Sequence, residues 1–156
     1  MLWAAQGITA PPEYRTAPSA GALYPLELYV ISGEVEDLPA GIYRYSPHEH
    51  GLVKVAVGDR RVALSLAALD QDSVREAAVV LVITSVFTRT TAKYGDRGIQ
   101  YVHMEVGSVA QNIYLQVESL NLGTVFIGAF HEDEVMEVLE LEKPETPLGL
   151  LPLGKK

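Results

Sequence analysis

Residues Ala78 to Ser85, Ala-Val-Val-Leu-Val-Ile-Thr-Ser, carry no apolar/polar alternation until their last two positions. A strand with one wet face alternates, so a continuous run of β-formers predicts a strand covered on both faces. The apolar stretch from Ala77 to Ile83 is also far too short to cross a bilayer. From Ile99 to Leu120 the apolar residues Val102, Val106, Val109, Ile113, Val117 and Leu120 recur at steps of three and four, which predicts a long amphipathic helix. Gly107, Ser108 and Ala110 are small residues on that helix, where a second helix can approach closely.

Other elements read more locally. Met1 to Gln6 reads as the last turns of a helix whose beginning is missing, stopped by Gly7, with a proline-containing loop over Gly7 to Tyr14. Leu26 to Ser32 predicts a strand, and Gly33 to Ala40 turns the chain. Gly41–Ser46 and Leu52–Val57, separated by Pro47 to Gly51, predict a hairpin. Asp59 is placed to cap a helix over Arg60 to Leu69. Gly123 to Ile127 predicts a strand, Glu132 to Leu139 a short acidic helix, and Leu148 to Leu153 a terminal strand. Strands and helices are interspersed irregularly, so the predicted class is α+β with a mostly antiparallel sheet, in a single domain over 1–156.

Composition narrows function by exclusion. The chain of 156 residues has a formal net charge of −8 and no cysteine. That charge argues against a broad nucleic-acid footprint, and the lack of thiols removes disulfides, thiolate nucleophiles and iron–sulfur clusters. The N-terminus lacks a basic segment ahead of a long apolar core, so it does not read as a signal peptide. The expectation is a soluble cytoplasmic protein with no membrane partner.

The segment Arg15-Thr-Ala-Pro18-Ser19-Ala20-Gly21-Ala-Leu-Tyr24-Pro25 sets turn formers against the strand at Leu26. Pro18 fixes one backbone angle, Ser19 offers a hydroxyl, and Gly21 permits positive φ or a close approach to a flat, polar-edged ligand. His48-Glu49-His50 sits in a hairpin turn with no third ligand at recognisable spacing, so no metal site is expected. Neither a Gly-x-Ser-x-Gly elbow nor a Gly-x-Gly-x-x-Gly dinucleotide loop is present.

The spacing of Pro18, Ser19, Gly21, Tyr24 and Pro25 resembles the Ser-Ala-Gly-Ala-x-Tyr-Pro signature of the SagB-type branch of the flavin-dependent nitroreductases. Glu105-x-Gly107-x-x-Ala110-Gln111-Asn112 resembles the helix that precedes the family's strand-end motif, and Gly123 to Phe130 resembles the motif itself. Arg89 to Gly98 resembles the Lys-Tyr region of azoline dehydrogenases, which oxidise thiazoline or oxazoline rings in ribosomal peptides. The resemblance implies a nitroreductase-like fold, a homodimer with the long helix in its core, two flavin sites at the dimer interface, and FMN as cofactor. It assigns cofactor contacts to Arg15, Pro18, Ser19, Ala20, Gly21, Gln71, Gly128, Ala129 and Lys155. Gly128 and Ala129 offer backbone amides to the flavin edge, Gln71 offers an amide to its pyrimidine edge, and Tyr24 is a candidate pocket wall.

Lys93 and Tyr94 become candidate bases, because oxidising an azoline requires a proton to leave carbon while hydride moves to flavin N5. Read without the resemblance, the same string is a solvated turn with a basic face. NAD(P)H-linked reduction of nitro compounds or quinones competes with azoline dehydrogenation. The family's Arg-Arg-Ser-type phosphate grip lies ahead of the position of Met1, leaving Arg15, Lys155 and Lys156 as the available cations. A different class therefore stays open: a shortened, non-catalytic dimeric paralogue acting as a flavin-binding or scaffold protein.

Overall fold

The computed structural model describes residues 1–10 and 13–156. Pro11 and Pro12, within the loop expected over Gly7 to Tyr14, lie outside the described residues. Flanking them are two short paired strands, β1 (Ile8–Ala10) and β2 (Tyr14–Arg15), where sequence reading expected only loop. The main sheet contains β3 (Leu26–Ser32), β4 (Gly41–Ser46), β5 (Gly51–Val57), β6 (Val79–Ser85), β7 (Leu122–Thr124) and β8 (Thr146–Lys155). Its order is β5-β4-β3-β6-β8-β7, and every neighbouring pair is antiparallel.

The apolar run behaves as its pattern requires. Leu81 and Ile83 point to one side of the sheet, joining Leu26, Leu28, Val30, Leu151 and Leu153, while Val80 and Val82 join Tyr29, Ile31 and Leu150 on the other. The first side is covered by α1 (Leu2–Gln6) and by α5 (Arg97–Ser119), a helix of 23 residues. The second is covered by α2 (Arg61–Ala67), α3 (Asp72–Arg75) and α6 (Glu132–Val138), through Leu64, Val74 and Val135. Helices on both faces of an antiparallel sheet give the α+β architecture expected.

Boundaries moved where local bonding overrode pattern. On α5, Val102, Val106, Val109, Ile113 and Val117 are buried as predicted, whereas Leu120 caps the helix and is exposed. Ala110 faces the chain's own core, so of the three small residues Gly107 is the exposed one. The Arg89 to Gly98 stretch is largely helix α4 (Thr88–Tyr94) rather than a turn, and Gly95 joins it to α5. At α2 the N-cap is Arg60; Asp59 stands one residue earlier, accepting from both the Arg61 backbone N–H and its guanidinium.

The strand expected over Gly123 to Ile127 stops at Thr124. The Phe126 amide donates to Tyr114 Oη at 2.7 Å instead of to β8, and its ring fills the space that a Cβ on Gly149 would occupy. Ile127 rejoins the sheet by one bridge to Leu150. Among the described residues no helix is long and apolar enough to cross a membrane.

Ile83 is fully buried between β3 and β8 beneath α5. Ile83→Ala is expected to lower unfolding free energy by about 3 kcal/mol, read as a lower urea midpoint at unchanged slope.

Candidate active site

The loop between β2 and β3 is wound tightly by its own side chains. Gly21, Ala22 and Tyr24 all have positive φ, at 65°, 54° and 45°, a left-handed conformation that is unfavourable for residues bearing a Cβ. Hydrogen bonds centred on Tyr24 hold it. The Tyr24 backbone N–H donates to Ser19 Oγ at 2.9 Å, the Arg15 N–H donates to Tyr24 Oη at 3.2 Å, and Arg89 Nη1 donates to the Tyr24 carbonyl at 3.1 Å. Tyr24 is thus a buried brace of the loop rather than a pocket wall. The Arg15 guanidinium lies 4.4 Å from the Tyr24 ring centroid and donates to Gln6 Oε1 at 2.8 Å. Burial pulls its pKa down.

This winding brings Gly21 against α4. A Cβ added there would lie 2.7 Å from Tyr94 Oη and 3.0 Å from Lys93 Nζ, so a side chain would have to push both tips aside, while the positive φ itself favours the glycine. Lys93 is exposed, its Nζ 5.4 Å from the Tyr94 ring centroid, and Tyr94 packs edge-on against Tyr101 of α5. Two segments far apart in sequence, both singled out by their motifs, therefore meet at one end of the sheet.

Pro18, Ser19 and Ala20 line a cavity of about 310 Å³ together with Tyr101, Met104, Glu105 and Ser108 of α5. Glu105 is 3% exposed, and its Oε1 has no hydrogen-bond partner among the described residues. Its carboxyl is pushed up to about 7, chiefly by burial, while Ser19, Arg15 and Gln6 act the other way. In the sequence Glu105 stands out only as part of a helix motif. The available signal was a carboxylate inside the apolar stripe, flanked by Val102, Val106 and Val109.

The remaining expected residues gather elsewhere, around α3. Gln71, its N-cap, donates through Nε2 to the Ala68 carbonyl at 2.9 Å and reaches the Ala129 carbonyl at 3.5 Å. Gly128 and Ala129 are exposed. Lys155 lines a second cavity of about 330 Å³ with Ser73, Thr124 and Gly154, while Lys156 is tied to Glu118 at 2.6 Å. Strand β8 separates the two groups: Thr146 pairs with Ser85 at the Gly21 end and Lys155 pairs with Leu122 at the other, about 30 Å along the strand. One copy of the chain thus brings together Pro18 to Gly21 with Lys93 and Tyr94, and Gln71 with Ala129, without joining the two sets. The two histidines of the hairpin turn have separate partners, His48 with Glu13 at 3.8 Å and His50 Nδ1 with Tyr45 Oη at 2.8 Å.

The raised carboxyl of Glu105 fixes a pH signature. Its folded pKa, about 7, lies above the ordinary 4.5, so its contribution to stability is full below the lower value and is lost as pH rises through the higher one. Glu105→Gln cannot ionise. Thermal melting of the ligand-free proteins is expected to show wild-type stability falling relative to Glu105→Gln across that window, and level above it.

The matches to known proteins cover this whole arrangement. The nitroreductase family model matches residues 1–155. MJ1384 of Methanocaldococcus jannaschii, named as a nitroreductase, is 47% identical over 156 residues, covering 100% of this chain and 78% of that protein. The microcin B17-processing protein McbC of Escherichia coli is 29% identical over 134 residues, 83% of this chain but 49% of McbC. In three dimensions, a nitroreductase-type structure from Anabaena variabilis superposes with a TM-score of 0.93 at 29% identity, covering 99% of this chain and 33% of that one. The E. coli microcin synthetase McbBCD complex superposes at 0.86 and 28% identity, covering 99% of this chain and 61% of the matched one. The chain accordingly spans about half of McbC and a third of the Anabaena chain. With its mostly antiparallel sheet sandwiched by helices and a family match along almost its full length, this chain belongs to the nitroreductase family of oxidoreductases.

Proposed function

We propose that residues 1–156 form one FMN-dependent domain that dehydrogenates azoline rings of modified peptides, working as a homodimer in the cytoplasm. The observation that carries this reading is the contact of Gly21 with Lys93 and Tyr94, which sets the candidate cofactor loop beside a candidate base. FMN is typical of the family, and McbC, a microcin-processing protein, supports a peptide substrate.

The residues fit such a cofactor as two half-sites. Pro18, Ser19, Ala20 and Gly21 supply one wall, with Arg15 behind them; Gln71, the backbone of Gly128 and Ala129, and Lys155 supply the other. A second copy would join them. Met104, Gly107, Gln111 and Leu115 form an exposed stripe on α5 at helical spacing, with Met104 and Leu115 61% and 63% exposed. Met104 also lines the Ser19 cavity, so a partner packed on the stripe would reach the half-site.

When bound, FMN supplies the hydride acceptor. Lys93 or Tyr94 would take the proton that leaves the azoline carbon, and the exposed segment at Gly128 and Ala129 would offer backbone amides to the ring edge. Gln71 would orient the pyrimidine edge, and Lys155 would provide positive charge for the phosphate.

Added FMN is expected to give a yellow protein whose melting temperature rises by roughly 5 to 10 °C at saturating ligand. A colourless protein without that shift would favour the scaffold alternative. Replacing Lys93 by Ala and Tyr94 by Phe together is expected to slow oxidation of a peptide thiazoline by roughly a hundredfold or more, measured as thiazole formed by mass spectrometry. Unchanged turnover in that variant would remove both from the mechanism, and brisk consumption of NAD(P)H with a nitroaromatic would favour the reductase activity instead.

A further inference from the structure

Three buried polar atoms without hydrogen-bond partners among the described residues, Glu105 Oε1, Gln6 Nε2 and Arg15 Nε, fall on side chains that face one another beneath the Ser19 loop. A buried polar group left unsatisfied is costly, so such a cluster needs a reason. Glu105 comes from α5, Gln6 from α1, Arg15 from β2 and Ser19 from the loop itself. The α1 helix, β2 and the loop thus each present the carboxyl with a polar or positive group. Beyond Arg15 stand Glu27, Tyr24 and Arg89, which act on the guanidinium rather than on Glu105 directly.

We propose that Glu105 is a positioning residue that holds the Pro18–Gly21 loop in register with Lys93 and Tyr94, acting through Ser19. The chain of contacts is continuous. Glu105 faces Ser19 across the 310 Å³ cavity; Ser19 Oγ accepts the Tyr24 amide; Tyr24 receives the Arg15 amide and gives its carbonyl to Arg89, one helical turn before Lys93 on α4. Protonated, as burial favours, Glu105 keeps its place against Ser19, Gln6 and Arg15 without a buried charge; ionised, it carries that cost until the loop opens and water reaches it. The left-handed run at Gly21, Ala22 and Tyr24 is held from below by this contact as well as by its own hydrogen bonds. The inference concerns the loop itself and relies on the flavin reading only for its functional consequence.

Hydrogen exchange on the flavin-free protein tests it, followed on peptides covering residues 17–25, with β6 as the reference. Glu105→Ala and Ser19→Ala are each expected to speed exchange in the loop by roughly tenfold, with β6 unchanged. The double variant should be no faster than the faster single one, because the two residues act along one path. Glu105→Gln keeps an acceptor oxygen and the side-chain volume. It should hold the loop equally at all pH, while wild-type loop exchange, corrected for intrinsic chemistry, speeds as pH rises from the ordinary carboxylate range toward about 7 and levels above it. Loop exchange unchanged in Glu105→Ala, effects that simply add, or equal acceleration in loop and β6 would overturn the proposal. If Glu105→Ala does not fold, the pH comparison between wild type and Glu105→Gln decides the matter alone. Riboflavin and FMN binding measured in the same variants separates the two readings. A loop that responds as expected in a protein that binds neither flavin sinks the proposed function and leaves the role of Glu105 standing.

Discussion

Two-sided burial of the sheet centred on β6 is the constraint on which the remainder rests. Val80 and Val82 look one way and Leu81 and Ile83 the other, so neither face can be left to water, and both helical layers are obligatory. That requirement orients α5 along one face and α2, α3 and α6 along the other. The candidate residues are then distributed by topology: those following β2 and β6 go to one end of the sheet, and those preceding β6, following β7 or ending β8 go elsewhere. The separation of the two groups of candidate residues follows from strand order, without any special property of the residues themselves.

Much of this was legible in sequence because it depended on period and punctuation. The unalternating run at Val79 to Ile83 and the three-and-four spacing from Val102 to Val117 define the sheet centre and its principal cover, and both appear as read. The segments that escaped were governed by single long-range bonds. Nothing local in Phe126 announces that Tyr114 Oη will take its amide and end β7 early. Nothing in the Arg89 to Gly98 string separates a basic turn from a short helix followed by a glycine joint; packing of α4 against α5 and the Phe87 carbonyl bonds decide it.

The candidate site was read unevenly for the same reason. Pro18, Ser19 and Gly21 carry their conformational meaning in their chemistry, so a tight loop was foreseeable, and the contact of Gly21 with Lys93 and Tyr94 joins two motifs that sequence could only set side by side. Tyr24 turned inward because its hydroxyl found the Arg15 amide. Glu105 was visible as an anomaly, an acid among valines, yet the groups that answer it come from α1, β2 and a loop, and only folding assembles them.

The bond from Phe126 to Tyr114 gives α5 a second duty. Glu105, in its first half, faces the Ser19 loop, while Tyr114, nine residues later and about 13 Å along the axis, anchors the segment that leads to Gly128 and Ala129. One rigid rod thus carries the reference points for both walls. Any rotation or slide of that rod displaces both walls in step, so their mutual alignment is inherited from a single helix rather than negotiated between independent loops. In a two-fold pair, where each rod would serve one cleft with its first half and the opposite cleft with its second, the two clefts would share their mechanical frame.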